Sequence, residues 1–440
     1  MKTYSAYKES GEDWMGSVPE HWRVERLKDV CEDVLGGGTP KTGDERYWDE
    51  GDIIWVTPTD YQDFEGQETI DDSKLKITKL GMTSSAARLL PIGTVLMTSR
   101  ASIGDAKISS APLTTNQGFM NFVCGTKYQN KFLFYIINSS LGYIFKNIAT
   151  GTTYLEISKR VAKQEKVPLP PYTEQTAITV YLDKATADID TVIKLKNEQL
   201  DKLDDYKKSI LHEAVTKGLN KKVELTDSNI DWIGKYPKHW KLMRLKDCSD
   251  YIQTGSTPPT SVSEYYENGT IEWFSPPSFE GELELTNPAK LINEKAYTDG
   301  ELKMFPANSV FLIGIGGTIG KSAIIRKPSS CNQQLNVIKP DCRIEVDFLA
   351  FFMKIYEDVI INIAQFTTLP IFNQTKTGLL HIVVPPQKKE QKEIAEFLYS
   401  TMKKIKSERE LIEQQIEKLK EYRKALIHEC VTGKRKVTSD

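Results

Sequence analysis

A long helical stretch that occurs twice is the strongest constraint on what this chain can fold into. Residues 170–218 open as "PPYTEQTAITVYLDK" and close as "KSILHEAVTKG", and residues 385–433 open as "PPQKKEQKEIAEFLY" and close as "KALIHECVTG". The separation is regular: Gln391 minus Gln175 and His428 minus His212 are both 216. In the first copy Leu182, Ile189, Lys196, Leu203 and Ile210 lie seven apart, and Ala185, Val192, Gln199 and Tyr206 are expected to form a second row three residues on. The second copy continues the spacing with Leu398, Ile405, Ile412, Leu419 and Leu426, with Lys403, Lys404, Glu413 and Lys418 between them. Each stretch starts at a Pro-Pro pair, ends near a glycine (Gly218, Gly433) and holds no proline inside, which is the punctuation of one uninterrupted helix. At about 1.5 Å per residue, some 45 residues span about 68 Å, more than the width of a small domain. Each helix is expected to take the other as its partner, and Lys196 within the stripe marks a place facing water or another subunit.

The rest of the chain repeats with the helices. "WMGSVPEHWRVERLKDV" from Trp14 returns as "WIGKYPKHWKLMRLKDC" from Trp232, an offset of 218. Its tryptophans, Gly, Pro and His read as a compact clasp in which Trp14 and Trp22 bury apolar area around a turn at Pro19 and Leu27 starts the first element. His21 and His239 read as packed, structural histidines. With a clasp near each helix end, the N-terminal clasp should close on the second helix as the central clasp closes on the first. "GGGTP" ending at Pro40 then matches "QTGSTP" ending at Pro258, and "DIIWVTP" matches "TIEWFSP". "LMTSRASIGDAKI" matches "LIGIGGTIGKSAI", and "TNQGFMNF" matches "CNQQLNVI". Short β-rich runs punctuated by Gly and Pro, with helical patches such as "QNKFLFYIINSSLGYIF", give an α+β fold class. The organisation predicted is an approximate two-fold internal repeat. Residues 1–168 hold a clasp and the first globular domain, 169–218 the first helix, 219–231 a linker, 232–384 the second clasp and domain, 385–433 the second helix, and 434–440 a basic tail. The two helices form an antiparallel coiled coil.

Length allows two cores, since 440 residues can fill two domains besides the helices. The formal charge of −2 argues at first against a polyanion partner, yet the charges are segregated. Between Ser73 and Leu155 one acid, Asp105, stands against Lys74, Lys76, Lys79, Arg88, Arg100, Lys107, Lys127, Lys131 and Lys146; from Leu302 to Pro340 no acid opposes Lys303, Lys321, Arg326, Lys327 and Lys339. One basic stretch in each half fits a chain gripping a polyanion at two places, beside the plainer reading of solvated basic faces. Six cysteines show no metal-like spacing, the N-terminus has no apolar signal core, and no apolar run reaches a membrane span, so a cytoplasmic location is expected.

Catalytic signatures fail one by one. "GIGGTIGKS" puts Ile315 where a phosphate-binding loop needs glycine, and Ile319 where a dinucleotide fingerprint needs its third glycine. "SPPSF" differs from the Pro-Pro-aromatic loop of amino-methyltransferases at Ser278 and reads as a turn. His21 pairs with His239 and His212 with His428 in the repeat, which leaves His381 alone. No catalysis, metal or cofactor is assigned to this chain.

The clasp at the start of each half, the Pro-Pro helix starts followed by Glu-Gln, and the "GTIGK" loop resemble the specificity subunit of type I restriction-modification systems. The resemblance covers nearly the whole chain. It implies two target recognition domains, each reading one half of a split double-stranded DNA sequence, on helices that space the domains and dock two modification subunits. Those subunits would carry S-adenosylmethionine and methylate adenine; restriction subunits, with ATP and Mg²⁺, would complete the nuclease. Half-sites lie about 34 to 36 Å apart per helical turn, a distance that helices of this length can bridge. Arg100, Lys107, Lys303 and Lys321 are the candidates for phosphate or guanine. Asn116, Gln117, Asn332, Gln333 and Gln334 are the candidates for adenine edges, and Thr152, Thr153, Tyr154, Thr367 and Thr368 for the DNA backbone. Each residue type also has a structural use, as with Asn in a turn or Thr in a strand. A coiled-coil scaffold that reads no DNA and a self-sufficient DNA methyltransferase remain as alternatives.

Overall fold

The computed structural model describes residues 2–100, 102–150, 155–364 and 371–437, and these fall into two compact units: residues 1–196 with 413–440, and residues 197–412. The repeated stretches are helices, Tyr172–Lys217 (46 residues) and Lys388–Val431 (44 residues), and each begins just after its Pro-Pro pair. Each contributes residues to both units. In the first unit the helices run antiparallel, with the Lys196 ammonium donating to Gln415 Oε1 at 2.6 Å and Arg423 paired with Asp190 at 2.9 Å. Ile178, Leu182 and Ile189 share a core there with Leu426, Ile427, Cys430 and Val431. The second unit repeats the arrangement with Arg409 on Asp204 at 2.7 Å and a core joining Leu211, Ala214 and Val215 to Ile394, Ala395 and Leu398.

Two details of the stripe differ from the sequence reading. The second inward row of the first helix lies four residues after the first, with Thr186 buried and Ile193 and Leu200 half-buried, while Val192 is 41% and Tyr206 53% exposed. A heptad seam alternates steps of three and four, and this helix presents the Leu182 row as the later of each three-step pair, as in Thr186 and Ile189. Lys196 lies in the seam, half-buried, with its ammonium held by Gln415 instead of facing another subunit. Its stem can lie along apolar neighbours while the charge finds an amide oxygen. In the second helix Leu398, Ile405, Ile412 and Leu426 are all buried, as the spacing predicts.

Each globular body is built of the same pieces. In the first unit a five-stranded sheet runs in the order Cys31–Gly36, Phe119–Cys124, Val95–Thr98, Ala106–Ser109, Thr69–Ile70, antiparallel except for the last pair. The second unit answers with Ser249–Thr254, Leu335–Pro340, Ser309–Ile313, Ser322–Ile325, and a parallel bridge from Glu284 to Ile324 takes the place of the fifth strand. The "DIIWVTP" and "TIEWFSP" runs form Ile53–Val56 and Ile271–Phe274, each central in a three-stranded sheet. The strands end at Val56 and Phe274, and short helices begin two residues on at Pro58 and Pro276 under capping boxes from Thr57 and Ser275. The "GIGGTIGKS" run is a turn between antiparallel strands with no helix after it, so it lacks the helix N-terminus on which a phosphate loop depends.

The clasps attach bodies to helices by one repeated joint. Trp22 is fully buried, and its indole donates to Glu174 Oε2 at 2.9 Å while His21 Nε2 meets Oε1 at 2.7 Å; Trp240 and His239 meet Glu390 in the same way at 3.0 and 3.3 Å. The next residue, Gln175 or Gln391, has no exposed surface and makes three bonds. Gln175 accepts from the Gln129 amide (2.8 Å) and donates to the carbonyls of Lys127 and Pro170 (both 3.0 Å). Gln391 accepts from the Glu345 amide (2.7 Å) and donates to Arg343 and Pro385 (3.0 and 2.9 Å). The clasps also close on helix ends as the repeat predicts: Tyr7 donates to the Gly433 carbonyl at 3.1 Å, and a Cβ on Gly433 would lie 2.3 Å from Pro19, while one on Gly218 would lie 3.0 Å from Trp240. Replacing Gln175 by Ala strands one amide and two carbonyls, so it is expected to destabilise the first unit by about 2–4 kcal/mol. Hydrogen exchange should show faster opening of residues 127–133 and of the start of the first long helix.

Candidate nucleic-acid interface

In each unit a glycine-containing loop (Gly36–Pro40 or Gln253–Pro258) crosses a turn carrying the amide side chains singled out above, and the two crossings are built alike. The Gly38 amide donates to the Thr115 carbonyl at 2.9 Å and the Ser256 amide to the Cys331 carbonyl at 2.8 Å. The indole of Trp55 donates to the Gly38 carbonyl at 2.8 Å, and that of Trp273 to the Ser256 carbonyl at 2.9 Å. The Asn116 amide donates to Val56 at 2.9 Å and the Asn332 amide to Phe274 at 3.0 Å, tying each turn to the strand that carries the tryptophan. The loops approach so closely that only glycine fits: a Cβ on Gly37 would fall 1.9 Å from the Asn116 carbonyl, and one on Gly255 2.0 Å from that of Cys331. Each Asn closes its own turn, with Asn116 Oδ1 accepting from the Gly118 amide at 2.8 Å and Asn332 Oδ1 from the Gln334 amide at 3.1 Å. At the apices Gln117 and Gln333 are exposed, and their Oε1 atoms accept from the hydroxyls of Thr39 and Thr257.

The candidate residues are only partly brought together. Asn116 and Gln117 share the first crossing. Asn332, Gln333 and Gln334 share the second, where Asn332 Nδ2 also donates to Gln334 Oε1 at 2.8 Å. Lys303 joins that second group, its amide bonded to Ser256 Oγ at 2.8 Å and its exposed ammonium to the Thr254 carbonyl at 3.2 Å. Lys321 stands apart in the turn between Ser309–Ile313 and Ser322–Ile325, with no ion-pair partner among the described residues. Arg100 is paired with Glu156 at 3.0 Å, so a phosphate would have to compete with that carboxylate. Lys107 does not fit its expected role: it is 7% exposed, lies over the Tyr61 ring, and donates to the carbonyls of Phe64 and Gln67. Burial pushes its ammonium below the usual lysine range. Its charge is spent inside the body, tying the 64–67 loop to the sheet. Thr152, Thr153, Tyr154, Thr367 and Thr368 lie outside the described residues.

Acids that lie outside the counted segments also thin the basic stretches. Lys74 pairs with Asp63, Lys76 with Asp72, Lys131 with Glu68 and Asp183, Arg326 with Glu284 and Asp347, and Lys327 with Glu272. Exposed and without an ion pair among the described residues are Lys79, Arg88, Lys127 and Lys146 in the first unit and Lys303 in the second. Lys41, at the edge of the first Gly-rich loop and equally exposed, was missed because it lies outside both basic stretches. Thr39 and Thr257 were missed too, although their recurrence in "GGGTP" and "QTGSTP" was the available signal. Among the described residues no cluster of three or more His, Cys, Asp or Glu could hold a metal, and no helix is long and apolar enough to cross a membrane.

A family model described as the type I restriction modification DNA specificity domain matches the chain twice, over residues 19–202 and 237–418. The chain belongs to this family. The two matches each contain one crossing and the greater part of one long helix. Among relatives of this family member, the MjaIX specificity subunit of Methanocaldococcus jannaschii is 28% identical over 427 residues, covering 96% of this chain and 95% of its own. The EcoR124I/EcoR124II specificity subunit of Escherichia coli is 29% identical over 154 residues, 34% of this chain and 37% of that one. Among solved structures, a chain from a study of assembly and conformational transition of the type I R-M system aligns with TM-score 0.73 at 18% identity, covering 94% of this chain and 98% of that one. The HsdS subunit from Thermoanaerobacter tengcongensis aligns with TM-score 0.58 at 18% identity, covering 95% and 98%. At that identity the likeness is one of fold.

The two lysines should behave oppositely. Lys321→Ala is expected to weaken DNA binding about equally across sequences and to lower the slope of log affinity against log salt by about 1. Lys107→Met should leave that slope unchanged and cost about 1–3 kcal/mol of stability through its two stranded carbonyls. Binding titrations at several salt concentrations, with a denaturation curve for each variant, check both.

Proposed function

We infer that this chain is the DNA-sequence-reading subunit of a type I restriction-modification complex and that it contributes no catalysis of its own. The observation that carries this reading is the pair of like-built crossings, one per unit, each lying in its own match to the specificity-domain family. Each crossing offers an exposed amide on a main-chain frame. Such an amide reads base edges, and nearby cations such as Lys41 and Lys303 hold phosphates. Two reading surfaces on one chain make the target a split sequence, one half to each unit.

Chemistry then belongs to other subunits. Two modification subunits dock on the long helices and bring S-adenosylmethionine for adenine methylation, and restriction subunits bring ATP and Mg²⁺ for cleavage. The exposed apolar side chains that the helices leave outside the seam, among them Val180, Leu195, Tyr206, Leu411 and Tyr422, favour a docking role for these helices.

Mapping of methylated adenines in cells carrying this chain with its modification subunit is expected to return one split motif. Incubation of the purified chain alone with DNA and labelled methyl donor is expected to transfer nothing. Methylation without sequence preference would overturn the reading in favour of a scaffold, and transfer by the chain alone would overturn it in favour of a methyltransferase.

A further inference from the structure

The two crossings agree in a detail that membership of the family does not assign. Thr39 and Thr257 stand at the same place in their loops, 218 residues apart, and Gln117 and Gln333 at the same place in their turns, 216 apart. In both units the threonine hydroxyl donates to Oε1 of the glutamine. Beneath the pair the two crossings share the Trp55 and Trp273 indoles, the Gly38 and Ser256 amides, the close approach at Gly37 and Gly255, and the turn-closing side chains of Asn116 and Asn332. Exposed glutamine side chains ordinarily sample several rotamers, and a polar contact between two exposed side chains has little value for stability. Its recurrence at the apex of a hydrogen-bonded turn, in two bodies whose middle sequences differ, points to a use outside the fold.

We propose that Thr39 and Thr257 are positioning residues that hold Gln117 and Gln333 in one amide orientation for reading a purine edge, adenine in the first instance. This deepens the DNA-reading function proposed above and rests on it. A hydroxyl proton on Oε1 sets which end of the amide lies against the loop. Nε2 is then free to donate, and the second lone pair of Oε1 remains open to accept. That ordered donor and acceptor pair matches N7 and the N6 amino group of adenine in the major groove, a match worth about 10- to 100-fold in discrimination. Thr39 needs no DNA contact of its own for this. Its effect is to remove the flipped amide, which would present the donor and acceptor in the wrong order.

The test uses the full chain assembled with its modification subunit and a randomised split-site DNA library, read by sequencing of the selected DNA. The wild-type complex must first select a split motif; failure there overturns the DNA-reading function itself. Given that motif, Thr39→Val is expected to relax preference at one position of one half by about 10-fold or more and to leave the other half unchanged. Thr39→Ser, which restores the hydroxyl, should recover it. Gln117→Met, similar in shape and without the amide, should relax the same position, which keeps the test open if Thr39→Val does not fold. Thr257→Val should act on the other half only. An unchanged motif in Thr39→Val and Gln117→Met overturns the proposal, and so does a uniform loss of affinity with base preference intact, which is what a merely structural pair would produce.

Discussion

Everything in each unit depends on how a globular body is fastened to a long helix, and that fastening is a glutamate followed by a glutamine in the helix's first turn. Glu174 and Glu390 each accept an indole proton from the clasp. A buried indole N–H is costly without an acceptor, and a carboxylate at a helix N-terminus is favoured by the helix dipole, so one residue serves both needs. Gln175 and Gln391 then use both ends of a fully buried amide on three main-chain groups. A buried amide with three fixed partners tolerates one geometry, so the body and the helix that leaves it are held at a defined angle.

From that joint outward, the support rests largely on main-chain groups and a few recurring side chains. The crossing that carries the exposed amides is bonded through carbonyls and amides of residues 38, 115, 256 and 331, braced by Trp55 and Trp273. Main-chain bonds place few demands on neighbouring residue types. This accounts for the contrast between clearly matched clasps and dissimilar middle sequences: the frame survives while the surface changes. A DNA-reading subunit gains from that division, because altering its target then does not threaten its fold.

The basic stretches show how a local reading goes astray. Counting charges between Ser73 and Leu155 omits the acids that folding brings in, and Asp63, Glu68, Asp72, Glu156 and Asp183 neutralise about half of that stretch. Lys107 is the sharpest case. In sequence it is one cation among nine, and in the fold it is an internal brace. Its charge is satisfied by carbonyls of a loop some forty residues earlier, a pairing that no local pattern encodes.

The repeat, the two long helices, the clasps and the family were all legible in the sequence. Helical period, proline and glycine punctuation, and matched landmarks are properties of neighbouring residues or of the chain compared with itself. The row of the first helix that faces its partner was not legible, since steps of three and of four both satisfy a seven-residue spacing until a second helix selects one. The same holds for the exposed cations and for Thr39 and Thr257. Asn116, Gln117, Asn332 and Gln333 were found as residue types suited to bases, but only the crossing of two distant loops decides which of their atoms face out. Such decisions depend on contacts between segments far apart in the chain, and those contacts exist only once the chain has folded.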